Sequence, residues 1–194
     1  MLTHPDSYQC LKLSNVALGT YLIAPIRSEH IEAIRRWRNA QMGVLRQTSE
    51  ITPEQQQGYF ANTIWPDMAN PFPSNILFSF FKDGEHIGYG GLVHLAWEHR
   101  RAEISFLVAP ERTELPAQYR ADLTHFLALM ANVAFTDLGL NRLFTETYAQ
   151  RESHISILED FGLRLEGRMR EHVVIEDVPT DSLIHGYLRG DHVE

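Results

Sequence analysis

The stretch from Asn75 to Val108 limits the fold of this chain most strongly. Asn75 to Lys82 (NILFSFFK) is apolar and aromatic enough for a buried strand, and Asp83-Gly84 is a tight-turn signal. Glu85 to Leu95 is then expected as the return strand of a hairpin, and Arg101 to Val108 (RAEISFLV) as a further strand. Three strands in succession predict a sheet, so the helical segments elsewhere in the chain are expected to pack on it.

Helices and further strands flank this region. The predicted helices are His30 to Arg38, Thr52 to about Thr63, Ala117 to Leu138 (stopped by Gly139) and Ser153 to Phe161. The predicted strands are Gly19 to Ile26, Asn141 to Tyr148, Leu163 to Ile175 and Ser182 to Leu188, the last two forming a hairpin around Asp177-Val178-Pro179. Trp65 to Ser74, with three prolines, reads as an irregular loop. This order predicts an α/β (α+β) domain with a mixed sheet.

Charge and cysteine content exclude several functions. The 17 Lys and Arg against 25 Asp and Glu give a net charge of −8, which argues against non-specific binding to nucleic acid. Cys10 is the only cysteine, so neither a disulfide framework nor a cysteine-based metal site is expected, and we predict no metal. The chain shows no signal-peptide pattern and no apolar run of about 20 residues, so we expect a cytoplasmic protein without membrane contact. The proline-rich segment is too short for an interdomain linker, which predicts a single domain over residues 1–194.

Three local strings resemble the GNAT acetyltransferases, over about Gly19 to Leu188. Ile104 to Pro110 looks like the central strand of that family, and Leu138 to Leu143 looks like its helix-to-strand junction. Ser153 to Gly162, followed by Leu165 to His172, resembles the last helix and the strand after it. The resemblance implies a mostly antiparallel sheet of about seven strands, flanked by about four helices.

The resemblance also implies a reaction. Two central parallel strands would splay apart, and the pantetheine arm of acetyl-CoA would lie in the gap. Backbone groups near Phe106, Leu107 and Val108 would pair with the pantetheine amides, and an N–H there could polarise the thioester carbonyl. A substrate amine would then attack directly, without a Ser or Cys nucleophile.

Two segments depart from the family pattern. The family usually has Arg/Gln-x-x-Gly-x-Gly/Ala before the long helix, where glycines let backbone N–H groups approach the CoA diphosphate. Here Glu111 to Arg120 (ERTELPAQYR) contains no glycine, and the N–H groups after Pro116 remain as donors. The family often has Asn and then Ser or Ala leading into the last helix, and further along a Tyr that acts as general acid. This chain has other residues at these positions. The residues that could fill the cofactor roles are Arg112, Gln118, Tyr119, Arg120 and Arg151, while His154 and Leu158 stand where the family has Ser or Ala and Tyr.

Four side chains are candidates for proton transfer. Glu103, on the central strand, could take a proton from an ammonium substrate, or could be an outward charge paired with Arg100 or Arg101. His94, on the adjacent hairpin strand, could act as base or bind the substrate, or could be a satisfied histidine on the open sheet face. Tyr148 and His154 are candidate acids, for which core packing is the competing interpretation.

Substrate contacts are expected from two further places. Arg38 and Asn39 end the first helix and could bind a sugar or phosphate, although Asn39 could simply cap that helix. Arg46 could add to a basic patch for a diphosphate. Trp97, on an apparent turn, is the aromatic residue best placed to meet a ligand.

Within the family, the chain looks most like bacterial enzymes that acetylate the amino group of a nucleotide-linked sugar in cell-surface glycan or flagellin-sugar synthesis. The strings that carry this likeness are Trp37-Arg38-Asn39, Ile51-Thr52-Pro53, Ile87 to Gly91 and Leu165 to Arg168. Arg168 to His172 also occurs in relatives that acetylate protein N-termini, which is the alternative. A catalytically silent module that binds CoA or sugar is the third interpretation. A homodimer formed through the last hairpin is compatible with the sequence, but no residue pattern requires it.

Overall fold

A single eight-stranded sheet forms the centre of the molecule. The computed structural model describes residues 5–192, so the predicted domain bounds, 1–194, extend past the described residues at both ends. The strands lie in the order β1-β2-β3-β4-β5-β6-β8-β7. Their bounds are β1 Val16–Leu18, β2 Tyr21–Pro25, β3 Ile76–Lys82, β4 Glu85–Ala96, β5 Arg101–Val108, β6 Arg142–Tyr148, β7 Arg164–Ile175 and β8 Val178–Leu188.

The only parallel pair among these strands, β5 and β6, stays together for just three residues. Arg101 to Glu103 pair with Arg142 to Phe144, and β5 and β6 do not pair with each other beyond these residues. All other neighbours are antiparallel. From Glu103 onward the two strands therefore separate, which confirms the predicted splay and opens a gap in the middle of the sheet.

Helices cover both faces of the sheet. They are α1 Ile31–Ala40, α2 Pro53–Tyr59, α3 Trp65–Met68, α4 Pro110–Thr113, α5 Pro116–Asn132 and α6 Glu152–Phe161. Thr52 caps α2, since its hydroxyl accepts a hydrogen bond from the Gln55 N–H while the Gln55 side chain accepts one from the Thr52 N–H. The apolar side of α5 packs on the sheet through the fully buried Phe126 and Met130. This mixed α/β architecture confirms the predicted fold class.

Close contact between β4 and its neighbours depends on two glycines. A Cβ on Gly90 would lie 2.2 Å from the Ser105 carbonyl oxygen, and one on Gly91 would lie 2.0 Å from that of Ile76. Any larger residue would push β4 away from β5 or β3, because both obstacles are backbone atoms. These glycines therefore keep the sheet tight beside the gap.

Three local predictions differ from the structure. Trp65–Met68, expected as the start of a loop, is helical, because proline is tolerated in the first helical turn and Met68 is fully buried there. The last hairpin turns at Glu176-Asp177, both with positive φ, so Val178 and Pro179 belong to β8. The first predicted strand, Gly19 to Ile26, corresponds to β2, and the strand before it, β1, was not predicted; β1 pairs with β2, so the sheet has eight strands where about seven were expected.

Residues 5–192 lack both a membrane-spanning helix and a metal-binding cluster. Within that range, no helix is both long enough and apolar enough to cross a membrane. The same residues contain no group of three His, Cys, Asp or Glu side chains that could hold a metal ion.

Candidate active site

Along the edge of β5 that borders the gap, every second residue points its backbone N–H and C=O into the gap. The Ala109 N–H donates to the Ile87 carbonyl at 2.9 Å, so Ala109 points toward β4. Because backbone direction alternates along a strand, Leu107 also faces β4, whereas Phe106 and Val108 face the gap. Of the three residues predicted to pair with pantetheine, Phe106 and Val108 therefore offer backbone groups there, and Leu107 does not.

A large cavity lies over the splayed strands. Its volume is about 740 Å³, and β5, β6, α6 and the segment 44–51 between α1 and α2 contribute its walls. The charged side chains in its lining are Arg38, Arg46, Glu50, Glu103, Glu146 and Arg151. We call it the first cavity.

Glu103 is the centre of a charged network in the first cavity. Its side chain is only 11% exposed, and it accepts hydrogen bonds from Arg46 Nη2 at 3.0 Å and from His94 Nδ1 at 2.8 Å. A carboxylate only accepts, so Nδ1 of His94 carries the hydrogen in this contact. Arg46 Nη2 also lies 2.8 Å from an oxygen of Glu146. Two carboxylates thus share one guanidinium nitrogen.

His94 takes its position from an irregularity in β4. The pairing of β4 with β5 shifts between Val93 and Ala96, and His94 has a φ of 50°, in the left-handed region. Histidine is among the residues enriched at such positions, but the conformation is still costly for a side chain with a Cβ. The bulge turns the imidazole toward Glu103 while leaving it 64% exposed, so the pair connects the cavity to solvent.

The two predicted residues at the end of α1 have different surroundings. Arg38 lines the first cavity, donating from Nη1 to the Tyr89 hydroxyl at 2.7 Å and from Nε to Gln47 at 3.1 Å. Asn39 faces the following loop, where its amide donates to the Ile51 carbonyl and accepts from the Ile51 N–H. Asn39 therefore holds in place the segment 44–51, which lines the cavity, but Asn39 itself does not line it.

A second cavity, of about 570 Å³, adjoins the first. The end of α1, Thr113, Tyr119 and residues 150–154 line it, and the two cavities share Val44, Arg151 and His154. We call the shared region the neck. Gln41, at the end of α1, reaches across and donates from Nε2 to the Val108 carbonyl at 2.8 Å. The two cavities therefore meet at the neck, and the first one runs along the edge of β5.

Three side chains meet at the neck. The hydroxyl of Tyr119 lies 2.7 Å from His154 Nδ1 and accepts from Arg151 Nη2 at 3.0 Å. Burial lowers the pKa of His154 well below its ordinary value, and the charge of Arg151 lowers it further. Burial raises the pKa of Tyr119, while Arg151 opposes that effect. Both side chains are therefore neutral, and the Tyr119 hydroxyl donates to an unprotonated Nδ1.

The loop expected to hold the CoA diphosphate contains a buried ion pair. Asp122 has no exposed surface and accepts from Arg112 Nε at 2.7 Å, from Arg112 Nη2 at 2.9 Å and from the Tyr21 hydroxyl at 2.9 Å. Burial, followed by this hydrogen bond, raises the pKa of Tyr21 to about 12. Gln118, with its amide oxygen turned toward Arg112, accepts from Nη1 at 2.7 Å.

These contacts change what the loop offers a ligand. The Arg112 donors face the protein interior and are taken up there, and Arg120 pairs with Asp160 across α5 and α6 at 2.6 Å. The N-terminus of α5 has Pro116 in its first turn and no side-chain cap, so the N–H groups of Ala117 and Gln118 have no helical acceptor. The anion-binding capacity of this loop therefore lies in backbone donors.

Of the remaining predicted residues, Tyr148 lies in a cavity and Trp97 does not. Tyr148 ends β6 in the first cavity and is nearly buried, and this burial raises its pKa. Trp97 lies outside the lining of both cavities, where its indole N–H donates to the Pro73 carbonyl at 2.9 Å and its ring meets Phe72 edge-on. The structure thus brings together Glu103, His94, Arg46, Arg38 and Tyr148, with Arg151 and His154 behind them, and it separates Trp97 and Asn39 from this group.

Sequence reasoning missed three residues of the site. Glu146 belongs to a short polar stretch of β6 and gave no motif, although it lies on the strand after the parallel pairing of Glu103 with Phe144. Gln41 follows a helix end and looks like an ordinary surface residue. Asp122 resembles a solvent-facing charge on α5, and only the ten-residue separation from Arg112 across the turn hints at a pair.

Known proteins of similar structure share this architecture. The spermidine N-acetyltransferase from Vibrio cholerae, in complex with CoA and spermine, superposes with a TM-score of 0.77 at 16% identity, covering 89% of this chain and 97% of that one. A dodecameric structure of the Vibrio cholerae spermidine N-acetyltransferase gives a TM-score of 0.73 at 17% identity, covering 88% and 95%. At these identities the likeness establishes the fold.

Sequence comparison carries the assignment further. The uncharacterized N-acetyltransferase YoaA of Bacillus subtilis (strain 168) is 26% identical over 105 residues, which span 54% of this chain and 56% of that protein. The model of the acetyltransferase (GNAT) domain matches residues 23–184, from β2 into β8. The chain therefore belongs to the GNAT acetyltransferase family.

Proposed function

We propose that this protein, acting as a single domain, transfers an acetyl group from acetyl-CoA to the primary amine of a small-molecule acceptor. The observation that carries the proposal is the position of Glu103. It stands where β5 and β6 part, buried in a cavity that continues past the free edge of β5. A base at this point meets an acceptor on one side and a thioester on the other.

The reaction places specific demands on the acceptor side. An acceptor ammonium gives one proton to Glu103, which releases it to solvent at the exposed side of the pair, while the Nδ1–H of His94 holds the carboxylate in place. The free amine forms a bond to the carbonyl carbon, its nitrogen gives a second proton to Glu103, and the bond from that carbon to sulfur breaks. Arg46 holds the Glu103 carboxylate in position between turnovers, because its Nη2 donates to that carboxylate at 3.0 Å.

The acetyl-CoA side is provided by the path through the second cavity. The gap-facing backbone groups of Phe106 and the N–H of Val108 can pair with amides of the pantetheine arm, whereas the Val108 carbonyl already accepts from Gln41. The first N–H groups of α5 suit the diphosphate. Because Arg112 is occupied by Asp122, the diphosphate contacts fall to the backbone donors. Glycines are not required for this arrangement, since Pro116 leaves the next donors unpaired.

A nucleotide-linked amino sugar is the finer acceptor proposal. Arg38 supports it, since its Nη2 has no hydrogen-bond partner within residues 5–192 and the side chain lines the first cavity. Arg46 does not add to such a site, because two carboxylates already share its charge. A diphosphate would therefore depend on Arg38. Acetylation of protein N-termini is the alternative from sequence.

A polyamine is the second candidate, favoured by a specific observation. Glu103 and Glu146 both contact the same nitrogen of Arg46, at 3.0 and 2.8 Å, so their oxygens converge on a position suited to a cation. An acceptor ammonium could replace that nitrogen. The structural neighbours named above act on spermidine, which agrees with a cationic acceptor.

A thiol-release assay with acetyl-CoA tests the proposal. The acceptor panel should contain nucleotide-linked amino sugars, free amino sugars, spermidine, spermine and short peptides with free N-termini. We expect CoA release with a small-molecule amine and with no peptide. Release with peptides alone would contradict the small-molecule acceptor, and no release with any acceptor, despite thermal stabilisation by CoA, would favour the silent binding module.

The predicted assembly remains a proposal. Dimerisation through the hairpin of β7 and β8 is supported by the exposed apolar side chains of Leu165, Val174 and Val178 on these strands. Size-exclusion chromatography with light scattering, on the wild type and on Val174→Lys, would test it.

A further inference from the structure

The family's tyrosine acid has no counterpart at its usual place on α6, because Leu158 occupies that position and is fully buried. Expulsion of the thiolate still leaves a negative sulfur that must gain a proton to leave as a neutral thiol. His154 lies one helical turn before Leu158 and therefore on the same face of α6. Both side chains line the first cavity.

In the proposed reaction, the thioester sulfur of acetyl-CoA lies at the neck. An acyl donor that enters through the second cavity and presents its acetyl group to the first must place its thioester between them. Val44, Arg151 and His154 are the residues that both cavities share. His154 thus stands at the junction, and its Nε2 has no hydrogen-bond partner within the described part of the chain, whereas Nδ1 is held by Tyr119.

Resting on the proposed function, we propose that His154 protonates the departing sulfur and that Tyr119 supplies the replacement proton through His154. Nε2 loses its proton to the thiolate as the Tyr119 hydroxyl proton moves 2.7 Å to Nδ1. The imidazole stays neutral throughout, and the products are a neutral thiol and a tyrosinate. The site resets when solvent at the neck gives a proton to Nε2 and the Nδ1 hydrogen returns to the Tyr119 oxygen, since His154 lines both cavities.

Arg151 makes this relay electrostatically reasonable. Its Nη2 lies 3.0 Å from the Tyr119 oxygen and 3.4 Å from His154 Nδ1. A guanidinium next to Nδ1 repels a proton there at rest, so it keeps the tautomer with hydrogen on Nε2. The same charge stabilises the tyrosinate when it forms. A neutral imidazole alone would be too weak an acid, so the role of Tyr119 as positioning residue and proton source is essential.

Tyr148 is the competing acid and provides the comparison. It lines the first cavity but is absent from the neck, and within residues 5–192 its hydroxyl has no hydrogen-bond partner to replace a proton. Removing the hydroxyl of Tyr119 should therefore cost more activity than removing that of Tyr148.

The experiment measures steady-state acetyl transfer by full-length variants to the acceptor that the wild type uses best. For Tyr119→Phe and His154→Gln we expect kcat to fall about 100-fold while KM for acetyl-CoA changes by less than about threefold. In His154→Ala, added imidazole should restore kcat at least about tenfold and thiazole, which has no N–H, should not. Tyr187→Phe, a buried tyrosine outside both cavities, is the matched control and should retain wild-type kcat.

Several results would overturn the relay. They are an unchanged kcat in Tyr119→Phe, a loss confined to KM, a greater loss in Tyr148→Phe, or equal recovery of His154→Ala with imidazole and thiazole. If His154→Ala melts too low for assay, Tyr119→Phe alone decides, because it keeps the ring packed on Phe106. Absence of CoA release by the wild type would instead overturn the proposed function, so the two failures are distinguishable.

Discussion

Glu103 and His154 line the same cavity, yet they differ in charge and in contact with water. Around Glu103 every functional group is charged or can become so, and its partners His94 and Arg46 are 64% and 48% exposed. Around His154 the burial lowers the imidazole pKa, and its main partner is a neutral phenol. The difference fits the chemistry, since an acceptor arrives as an ammonium and has to lose protons, whereas a thiol leaves neutral.

The two sides also differ in how they are held. On the acceptor side, a loop residue, Arg46, joins the strands, so the contact is replaceable by a ligand cation. On the acetyl-CoA side, Arg112 and Asp122 form a buried pair that fixes the turn between β5 and α5. Charges near the acceptor are therefore exchangeable, while the charges beneath the cofactor loop are structural.

The largest expected effect tests that structural assignment. Replacing Asp122 with Asn leaves the buried Arg112 guanidinium without its counter-charge, so the free energy of unfolding should fall by about 3 kcal/mol or more. Urea unfolding followed by circular dichroism measures it. The matched control is Asp160→Asn, which removes the exposed partner of Arg120 and should cost less than about 1 kcal/mol. Equal losses would contradict a special role for the buried pair.

The second effect concerns the acceptor side. Glu103→Gln keeps the shape of the side chain but removes the proton acceptor, so kcat should fall about 100-fold with KM for acetyl-CoA nearly unchanged. Steady-state kinetics across a pH series measures both constants.

Glu146→Gln separates proton transfer from the holding of Arg46. This variant breaks the contact between Glu146 and Arg46 Nη2, the nitrogen that also binds Glu103. We expect kcat to fall about tenfold or less, since Glu146 takes no proton in the proposed reaction. Equal losses in the two variants would show that the network acts by orienting Arg46, and an unaltered pH profile in Glu103→Gln would transfer the role of base to His94.

The smallest effect is expected at the second cavity. Gln41 donates to the Val108 carbonyl, which faces the gap where the pantetheine arm is expected. Gln41→Ala frees that carbonyl, so CoA should bind about two- to fivefold more tightly, in line with the net value of one hydrogen bond. Titration calorimetry measures this change, with exposed Gln57→Ala as control. Weaker binding would mean that Gln41 contacts the cofactor itself.

The sequence predicted the fold well because the signals there are local. Alternating apolar residues, the Asp83-Gly84 turn and Gly139 and Gly162 after helices each mark an element without reference to the rest of the chain. The proximity of Glu103 and His94 was also predictable, because both lie on strands expected to be neighbours. The remaining site depends on long-range contacts, such as that of Arg46 with Glu146, 100 residues apart, and no local pattern indicates them.

Two local features depend on tertiary contacts that the sequence does not show. The helical turn at Trp65–Met68 was missed because Pro66 argues for a loop until the burial of Met68 is known. The contact of Trp97 with Pro73 joins two irregular segments whose paths the sequence does not determine. Arg112 was expected to fill a cofactor role, but its guanidinium binds the buried carboxylate of Asp122, which comes from the next helix.

The tight packing of β4 has a practical consequence for altering this protein. Gly90 and Gly91 press against backbone atoms of both neighbouring strands, so libraries that randomise this strand would consist largely of misfolded chains. The segment 44–51 lines the first cavity from a loop, where side chains other than Arg46 can vary without disturbing the sheet. Directed evolution toward new amine acceptors should therefore diversify that loop and leave the glycine strand untouched.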